Sequence, residues 1–186
     1  MVSKKPPDSQ RDSSRQGEGS SSLMNQFHLE DDDEDAQKDK FLTFKLGKEE
    51  FGIDIGHVIE IVGMQEISEI PDMPEFIKGV INLRGAVIPV IDVRARFLME
   101  GRAYDDRTCV IVVSIDSLAV GLVVDTVREV ATISEDKISP PPQIRDDGSA
   151  NYIKGMGRLE GEVKILLDVN KLLFENHLES LKKSAS

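Results

Sequence analysis

The chain has 186 residues and a formal net charge of −11 at pH 7, which suits one domain or two small ones. The acidic excess argues against a nucleic-acid binder and against direct docking on an anionic membrane, because both depend on Lys and Arg. No apolar stretch approaches the roughly 20 residues that span a bilayer, and the N-terminus lacks a signal-peptide core, so we expect a soluble, cytoplasmic protein.

Residues 1–40 differ in composition from the rest of the chain. Ser, Gln, Lys and Asp dominate, and an acidic run occupies residues 30–35. Such a segment buries too little apolar surface to offset the entropy of ordering it. We therefore predict a disordered acidic and polar tail, for which a solvated leader is favoured over an interaction arm. Residues 41–175 are expected to form the folded domain, and residues 176–186 the end of a C-terminal helix and a tail.

The first half of the folded part is typical of strands joined by turns. Residues 41–46 are β-branched and aromatic, and residues 47–50 turn the chain. Residues 51–55 then alternate, which predicts a hairpin with one apolar face. Residues 87–91 predict a later strand, in which Pro89 favours an edge or a bulge because it has no N–H to donate.

The second half repeats the first. Aligned without gaps, residues 77–97 and 153–173 are identical at eight of 21 positions. Upstream, residues 108–115 and 118–124 predict a second hairpin, equivalent to the first. A duplicated set of short strands with Gly and Pro turns predicts a mainly β fold of two similar small β-barrels packed together.

Asp92 and Asp168 occupy equivalent places in the two copies, each directly before a short helical pattern. Asp is a favoured N-cap because its carboxylate accepts hydrogen bonds from amides of the first turn. We interpret the two residues as caps rather than as a functional carboxylate pair. Arg94 and Arg96, within the first of these helices, are expected on its solvent face.

The sequence shows no catalytic or metal-ligating pattern. His28, His57 and His177 lack metal-ligand spacing, and the glycines of residues 155–161 precede a strand instead of the helix that a nucleotide loop requires. Cys109 lies in an apolar run and is interpreted as a small buried hydrophobe. The sequence therefore predicts a binding protein rather than an enzyme, without cofactor or metal.

One turn position separates the two copies by charge, with Arg84 in the first and Glu160 in the second. A guanidinium beside a tight turn offers several donors in one plane to a carboxylate or to carbonyls. Glu60 could either orient Arg84 or meet a partner. A shared framework with a diverged charge suggests that the copies share a structural role and divide a binding role.

Two segments resemble the CheW-like chemotaxis coupling proteins. Residues 44–61 contain Phe-x-Leu-Gly-x-Glu-x-Phe-Gly-Ile-Asp-Ile and Val-Ile-Glu-Ile, and residues 76–85 read Phe-Ile-Lys-Gly-Val-Ile-Asn-Leu-Arg-Gly. Similarity continues through residues 110–174. The resemblance implies two intertwined five-stranded, SH3-like β-barrel subdomains with short helices and a C-terminal helix.

The resemblance also implies a non-catalytic adaptor that couples the cytoplasmic tips of methyl-accepting chemoreceptors to the regulatory domain of the histidine kinase CheA, in arrays at the membrane. By match of motif, the residues expected to contribute to receptor coupling are Val58, Glu60, Gly79, Asn82 and Arg84. The candidates for the kinase side are Phe76, Ile77 and Lys78.

Two alternatives remain open from the sequence. An adaptor of a non-motility chemosensory pathway would carry the same motifs. A small β-barrel ligand-binding protein or enzyme would instead show a deep pocket with convergent polar groups.

Overall fold

The computed structural model describes residues 34–142 and 152–173. The strands of the first repeat, with the helices before and after them, are α1 (Glu34–Gln37), β1 (Lys40–Leu46), β2 (Glu49–Asp54), β3 (Val58–Gly63), β4 (Ile77–Leu83), β5 (Ala86–Asp92) and α2 (Val93–Arg96). Those of the second are β6 (Cys109–Ile115), β7 (Leu118–Val124), β8 (Thr126–Thr132), β9 (Ile138–Ser139), β10 (Ile153–Leu159) and β11 (Glu162–Leu167). Short 3₁₀ turns occupy Ile55–His57, Glu135–Lys137 and Val169–Lys171.

The strands form two sheets, and each sheet takes strands from both repeats. One sheet has the order β3-β6-β7-β5-β4 and the other β8-β1-β2-β11-β10-β9. The β1–β2 hairpin of the first repeat therefore belongs to the sheet of the second, and the β6–β7 hairpin of the second repeat belongs to the sheet of the first. Parallel pairing of β5 with β7 and of β2 with β11 makes each join. This exchange confirms the predicted mainly β fold of two intertwined subdomains.

The apolar core follows the same division. A central cluster lies between the sheets and includes Leu42, Phe44, Ile111 and Leu122. A second cluster fills the five-stranded subdomain, and a smaller third cluster fills the six-stranded one. Since the exchanged hairpins supply much of the central cluster, the two subdomains share one interior.

Of the two positions predicted for Pro89, a sheet edge or a bulge, the edge is wrong. The pairing of β4 with β5 does shift register directly after Pro89, opposite Val90 and Ile91. Strand β5 lies between β7 and β4, with Pro89 opposite Val80 of β4. The parallel ladder with β7 starts only at Val90, one residue later. Pro89 thus lies in a central strand, one residue before the ladder with β7. Its missing N–H therefore does not interrupt that ladder.

The two predicted helix caps are confirmed. The Asp92 carboxylate accepts a hydrogen bond from the amide of Ala95 at 3.2 Å, at the start of α2. The Asp168 carboxylate accepts one from the amide of Asn170 at 3.1 Å, although the element that follows is a single 3₁₀ turn.

The expected solvent-facing position of Arg94 and Arg96 is wrong. Arg94 donates to the buried carboxylate of Asp125 at 2.6 Å. Arg96 donates its Nε–H to the backbone carbonyl of Leu172 at 2.7 Å. Both arginines are partly buried because their partners, distant in sequence, come from the second repeat.

The predicted tail and C-terminal helix fall almost wholly outside the described residues. Of residues 1–40, the described part contains α1 and the first residue of β1. Residues 1–33 and 174–186 are not described, so the predicted domain boundaries stay predictions.

Candidate functional site

A tight turn between β4 and β5 presents the candidate arginine. Leu83 pairs with Ala86, which leaves Arg84 and Gly85 as the two loop residues. Both have positive φ, +51° and +86°, as the two-residue hairpin turn that matches strand twist requires. The Asn82 side-chain oxygen accepts the Gly85 amide at 2.9 Å and so holds the turn.

Glu60 approaches this turn from the far side of the same sheet. It lies on β3, and β3 and β4 are the two outer strands of the five-stranded order. A register shift between Val58 and Glu60 marks a bulge in the pairing of β3 with β6. A bulge increases local twist and re-aims the side chains beside it. The two outer edges of the curved sheet thereby come together at Glu60 and Arg84.

Arg84 donates a hydrogen bond from Nη2 to the Glu60 carboxylate. The arginine side chain is 66% exposed, whereas that of Glu60 is only 22% exposed. The hydrogen bond to Glu60 raises the pKa of the Arg84 guanidinium, so the charge is permanent. Glu60 engages one side of a guanidinium that keeps further donors open to a partner.

The second repeat keeps the turn and lacks the ion pair. Glu160 has φ +50° and Gly161 +82°, within a few degrees of the equivalent Arg84 and Gly85. The residue equivalent to Glu60 is Glu129. Glu129 and Glu160 are both exposed. Neither forms an ion pair with any residue in the described ranges. The predicted divergence of charge on a shared backbone is therefore present in three dimensions.

Gly79 is buried in β4. Its φ is +143°, and a Cβ built there would lie 2.0 Å from the carbonyl oxygen of Ser68. Ser68 exchanges two backbone hydrogen bonds with Val80, at 2.8 and 2.9 Å, along the outer edge of β4. We therefore expect any contribution of Gly79 to coupling to be indirect, through the close approach of these two backbones.

The structure also shows two apolar residues at this rim that sequence reasoning missed. Val87 pairs with Asn82 across the hairpin and is exposed, and Ile59 is exposed on the bulge beside Glu60. Each lies in an apolar run, which predicts burial. The exposure of Val87 follows from its place next to the turn, and that of Ile59 from its place at the bulge of β3. Val58, by contrast, is half-buried and packs against the central core cluster.

The three kinase-side candidates occupy different environments. Phe76 is half-buried, and the Arg96 guanidinium lies 5.2 Å from the centre of its ring. Ile77 is buried in the central core cluster. Lys78 is half-buried, and among the three candidates it alone is a charged residue without a hydrogen bond or ion pair to the described residues. The sequence places the three together, but in the structure only Lys78 lines a surface cleft.

Other features of the described residues bear on chemistry. Cys109 lies in β6 and is half-buried, and this burial raises the pKa of its thiol. Among residues 34–142 and 152–173, no group of three or more His, Cys, Asp and Glu side chains could hold a metal ion. In the same ranges, no helix has the length and apolar character needed to cross a membrane.

Residues 40–176 match the model of the CheW-like domain. The chain belongs to the CheW-like domain family. The match spans both sheets and includes every candidate residue of the Glu60–Arg84 rim.

Relatives and a solved structure agree with this membership. The chain is 43% identical over 134 residues to "Chemotaxis protein CheW" of Klebsiella aerogenes, covering 72% of this chain and 81% of that protein. It is 34% identical to "Protein FrzA" of Myxococcus xanthus, covering 72% and 84%. The crystal structure of "scaffolding protein TtCheW" from Thermoanaerobacter tengcongensis has a TM-score of 0.68 and 38% identity, covering 74% of this chain and 94% of that one.

These similarities support a chemotaxis adaptor or scaffold function for the chain. They are also consistent with a protein that is not an enzyme.

Proposed function

We propose that the chain couples the cytoplasmic tips of chemoreceptors to the regulatory domain of the histidine kinase CheA, in receptor arrays on the cytoplasmic side of the membrane. The observation that carries this proposal is the Glu60–Arg84 rim. It joins two outer strands of one sheet, presents a guanidinium with open donors, and has exposed Val87 and Ile59 beside it.

This rim suits protein recognition better than small-molecule chemistry. Arg combined with exposed apolar side chains is typical of interaction hot spots. The second repeat has the same backbone turn but carries Glu160 in place of the arginine, so the two turns differ in charge and not in backbone conformation. We assign receptor contact to Glu60, Asn82 and Arg84. Val58 and Gly79 support that surface from within.

The test measures kinase autophosphorylation with CheA and a receptor cytoplasmic fragment, with and without the chain, together with the affinity of the chain for the fragment. The chain is expected to activate the kinase. Arg84→Glu, which copies the second repeat, is expected to fold and to weaken fragment binding by about tenfold or more, because a charge-assisted contact is lost.

The matched control is Glu160→Arg, which makes the opposite exchange in the equivalent turn. It is expected to leave binding of the receptor fragment unchanged. Kinase activation that is equally strong with Arg84→Glu would remove Arg84 from the receptor contact. Lack of activation by the unaltered chain would remove the coupling function itself.

A further inference from the structure

A cleft of about 360 Å³ opens at the end of the β4–β5 hairpin that is opposite the Arg84–Gly85 turn. Residues that line it include Lys78, Arg94, Leu98, Met99, Arg102 and Tyr104. Lys78 is six residues before Arg84 along an extended strand, a separation of about 20 Å at roughly 3.3 Å per residue. The cleft is therefore a different surface from the Glu60–Arg84 rim.

Leu98 stands at the lip of this cleft and is 94% exposed. It follows α2 in a Schellman motif, in which the Met99 amide donates to the Arg94 carbonyl at 2.9 Å and the Leu98 amide to the Ala95 carbonyl at 3.1 Å. Its φ of +55° belongs to the left-handed region, where glycine is the usual residue at this position. A leucine here is unfavourable for the backbone and gains nothing from packing.

The walls of the cleft are held in place by internal hydrogen bonds. The Tyr104 hydroxyl donates to the buried Asp92 carboxylate at 2.9 Å. Burial, and then the charge of Asp92, raises the pKa of the Tyr104 phenol, which therefore remains a donor. On the other side, Arg94 donates from Nε to the Glu100 carbonyl at 3.0 Å and so anchors the loop that carries Leu98. The cleft is formed before any partner arrives.

Among the charged groups of the cleft, one cation is left to a partner. Arg94 and Arg102 are both within ion-pair distance of Asp125, at 2.6 and 3.5 Å. Lys78 is half-buried and has no ion pair or hydrogen bond within the described residues. The remaining carboxylate of the lining, Glu75, is exposed. A carboxylate that entered the cleft would form a charge-assisted hydrogen bond with Lys78.

We propose that this cleft docks a protein segment carrying an apolar side chain, which packs on Leu98 and Tyr104, beside a carboxylate, which pairs with Lys78. Because Glu60, Asn82 and Arg84 occupy the opposite end of the hairpin, the segment belongs to the kinase and not to the receptor. This assignment of the partner rests on the proposed coupling function.

The experiment compares Leu98→Gly, Lys78→Gln and Lys78→Arg in the full chain, with Lys137→Gln as an exposed-lysine control from the second repeat. Two affinities are measured for each: one for the regulatory domain of the kinase and one for the receptor cytoplasmic fragment. Thermal unfolding is recorded for each variant, because Leu98→Gly relieves an unfavourable φ and is expected to unfold at an equal or higher temperature.

Leu98→Gly is expected to weaken kinase-domain binding by about tenfold or more, since an anchoring apolar side chain is removed. Lys78→Gln is expected to weaken it severalfold and to reduce its dependence on salt, whereas Lys78→Arg retains binding. The control and the affinity for the receptor fragment remain unchanged.

Two results would overturn the proposal in distinguishable ways. Kinase-domain affinities of Leu98→Gly and Lys78→Gln equal to that of the unaltered chain would remove the cleft as a docking site while leaving the coupling function intact. Failure of the unaltered chain to bind the kinase domain would overturn the coupling function and this docking site together.

Discussion

Arg96 donates its Nε–H to the backbone carbonyl of Leu172, the residue that holds the same place in the second repeat, at 2.7 Å. Its guanidinium also lies 5.2 Å from the centre of the Phe76 ring and 5.1 Å from that of Tyr152. Phe76 and Tyr152 are equivalent too, since each immediately precedes the repeated Ile-Lys-Gly. One side chain thus links equivalent residues of the two copies.

Replacing Arg96 by Met is expected to destabilise the fold. The aliphatic stem is retained, but the charge-assisted hydrogen bond and both ring contacts are lost, at a cost of about 1.5–3 kcal/mol. The measurement is urea unfolding, in which the midpoint should fall while the slope stays unchanged. Arg107→Met, which removes an exposed arginine, serves as the control and should shift the midpoint little. A midpoint for Arg96→Met equal to that of the control would show that the link contributes no stability.

A buried lysine joins β2 to β11 and makes a second prediction. The Lys164 side chain is only 7% exposed and donates to Glu50 and, at 2.7 Å, to Glu162. The hydrogen bond from Lys164 is the main reason that the pKa of Glu50 is lowered. A carboxyl group whose pKa is lower in the folded than in the unfolded state stabilises the fold above its unfolded pKa. That contribution is lost as the pH falls through the folded pKa.

Glu50→Gln is therefore expected to lower the free energy of unfolding by about 1–3 kcal/mol at neutral pH, because a buried ammonium loses a partner. The difference from the unaltered chain should shrink as the pH falls below about 4.5. Glu162→Gln is the matched comparison, and its effect should be smaller because the Glu162 side chain is 67% exposed. Equal effects of the two substitutions at neutral pH, or a Glu50→Gln difference that does not change with pH, would contradict this explanation.

The local features of the fold could be predicted from the sequence because they depend on near neighbours. The Asp92 and Asp168 caps act within three residues, and the Arg84–Gly85 turn is set by its own two residues and Asn82. The internal repeat added a non-local fact, namely that two similar subdomains exist.

The features that could not be predicted depend on which strands become neighbours. Exchange of the β1–β2 and β6–β7 hairpins brings Asp125 to Arg94, 31 residues away, and Leu172 to Arg96, 76 residues away. Pro89 lies in a central strand for the same reason. In the candidate site, the pairing of Arg84 with Glu60 was one of two sequence-based possibilities. The exposure of Val87 and Ile59 required the position of the turn and of the bulge.

Gly79→Ala separates a structural role from a contact role in the candidate site. The left-handed φ and the clash of the new Cβ with Ser68 are expected to cost at least about 2 kcal/mol of stability. Gly63→Ala is the control, because a Cβ there has nothing within 4 Å and no left-handed φ. Urea unfolding measures both variants.

The affinity of the receptor fragment for the folded fraction of Gly79→Ala distinguishes the two roles. A buried Gly79 predicts near-normal affinity once the unfolded fraction is taken into account. A large loss of affinity without loss of stability would mean that Gly79 touches the receptor.

The beginning of the folded domain can be tested by comparing chains that start at residue 34 and at residue 41. The carbonyl of Asp39 accepts the amide of Ile133, a fully buried residue, at 2.8 Å, and Lys40 pairs with Thr132. Loss of these partners leaves a backbone amide beside the core unsatisfied, which costs about 1–3 kcal/mol. The chain that starts at 41 should therefore unfold at a lower urea concentration than the chain that starts at 34. Equal midpoints would place the start of the stable domain after Lys40, as the composition alone suggests.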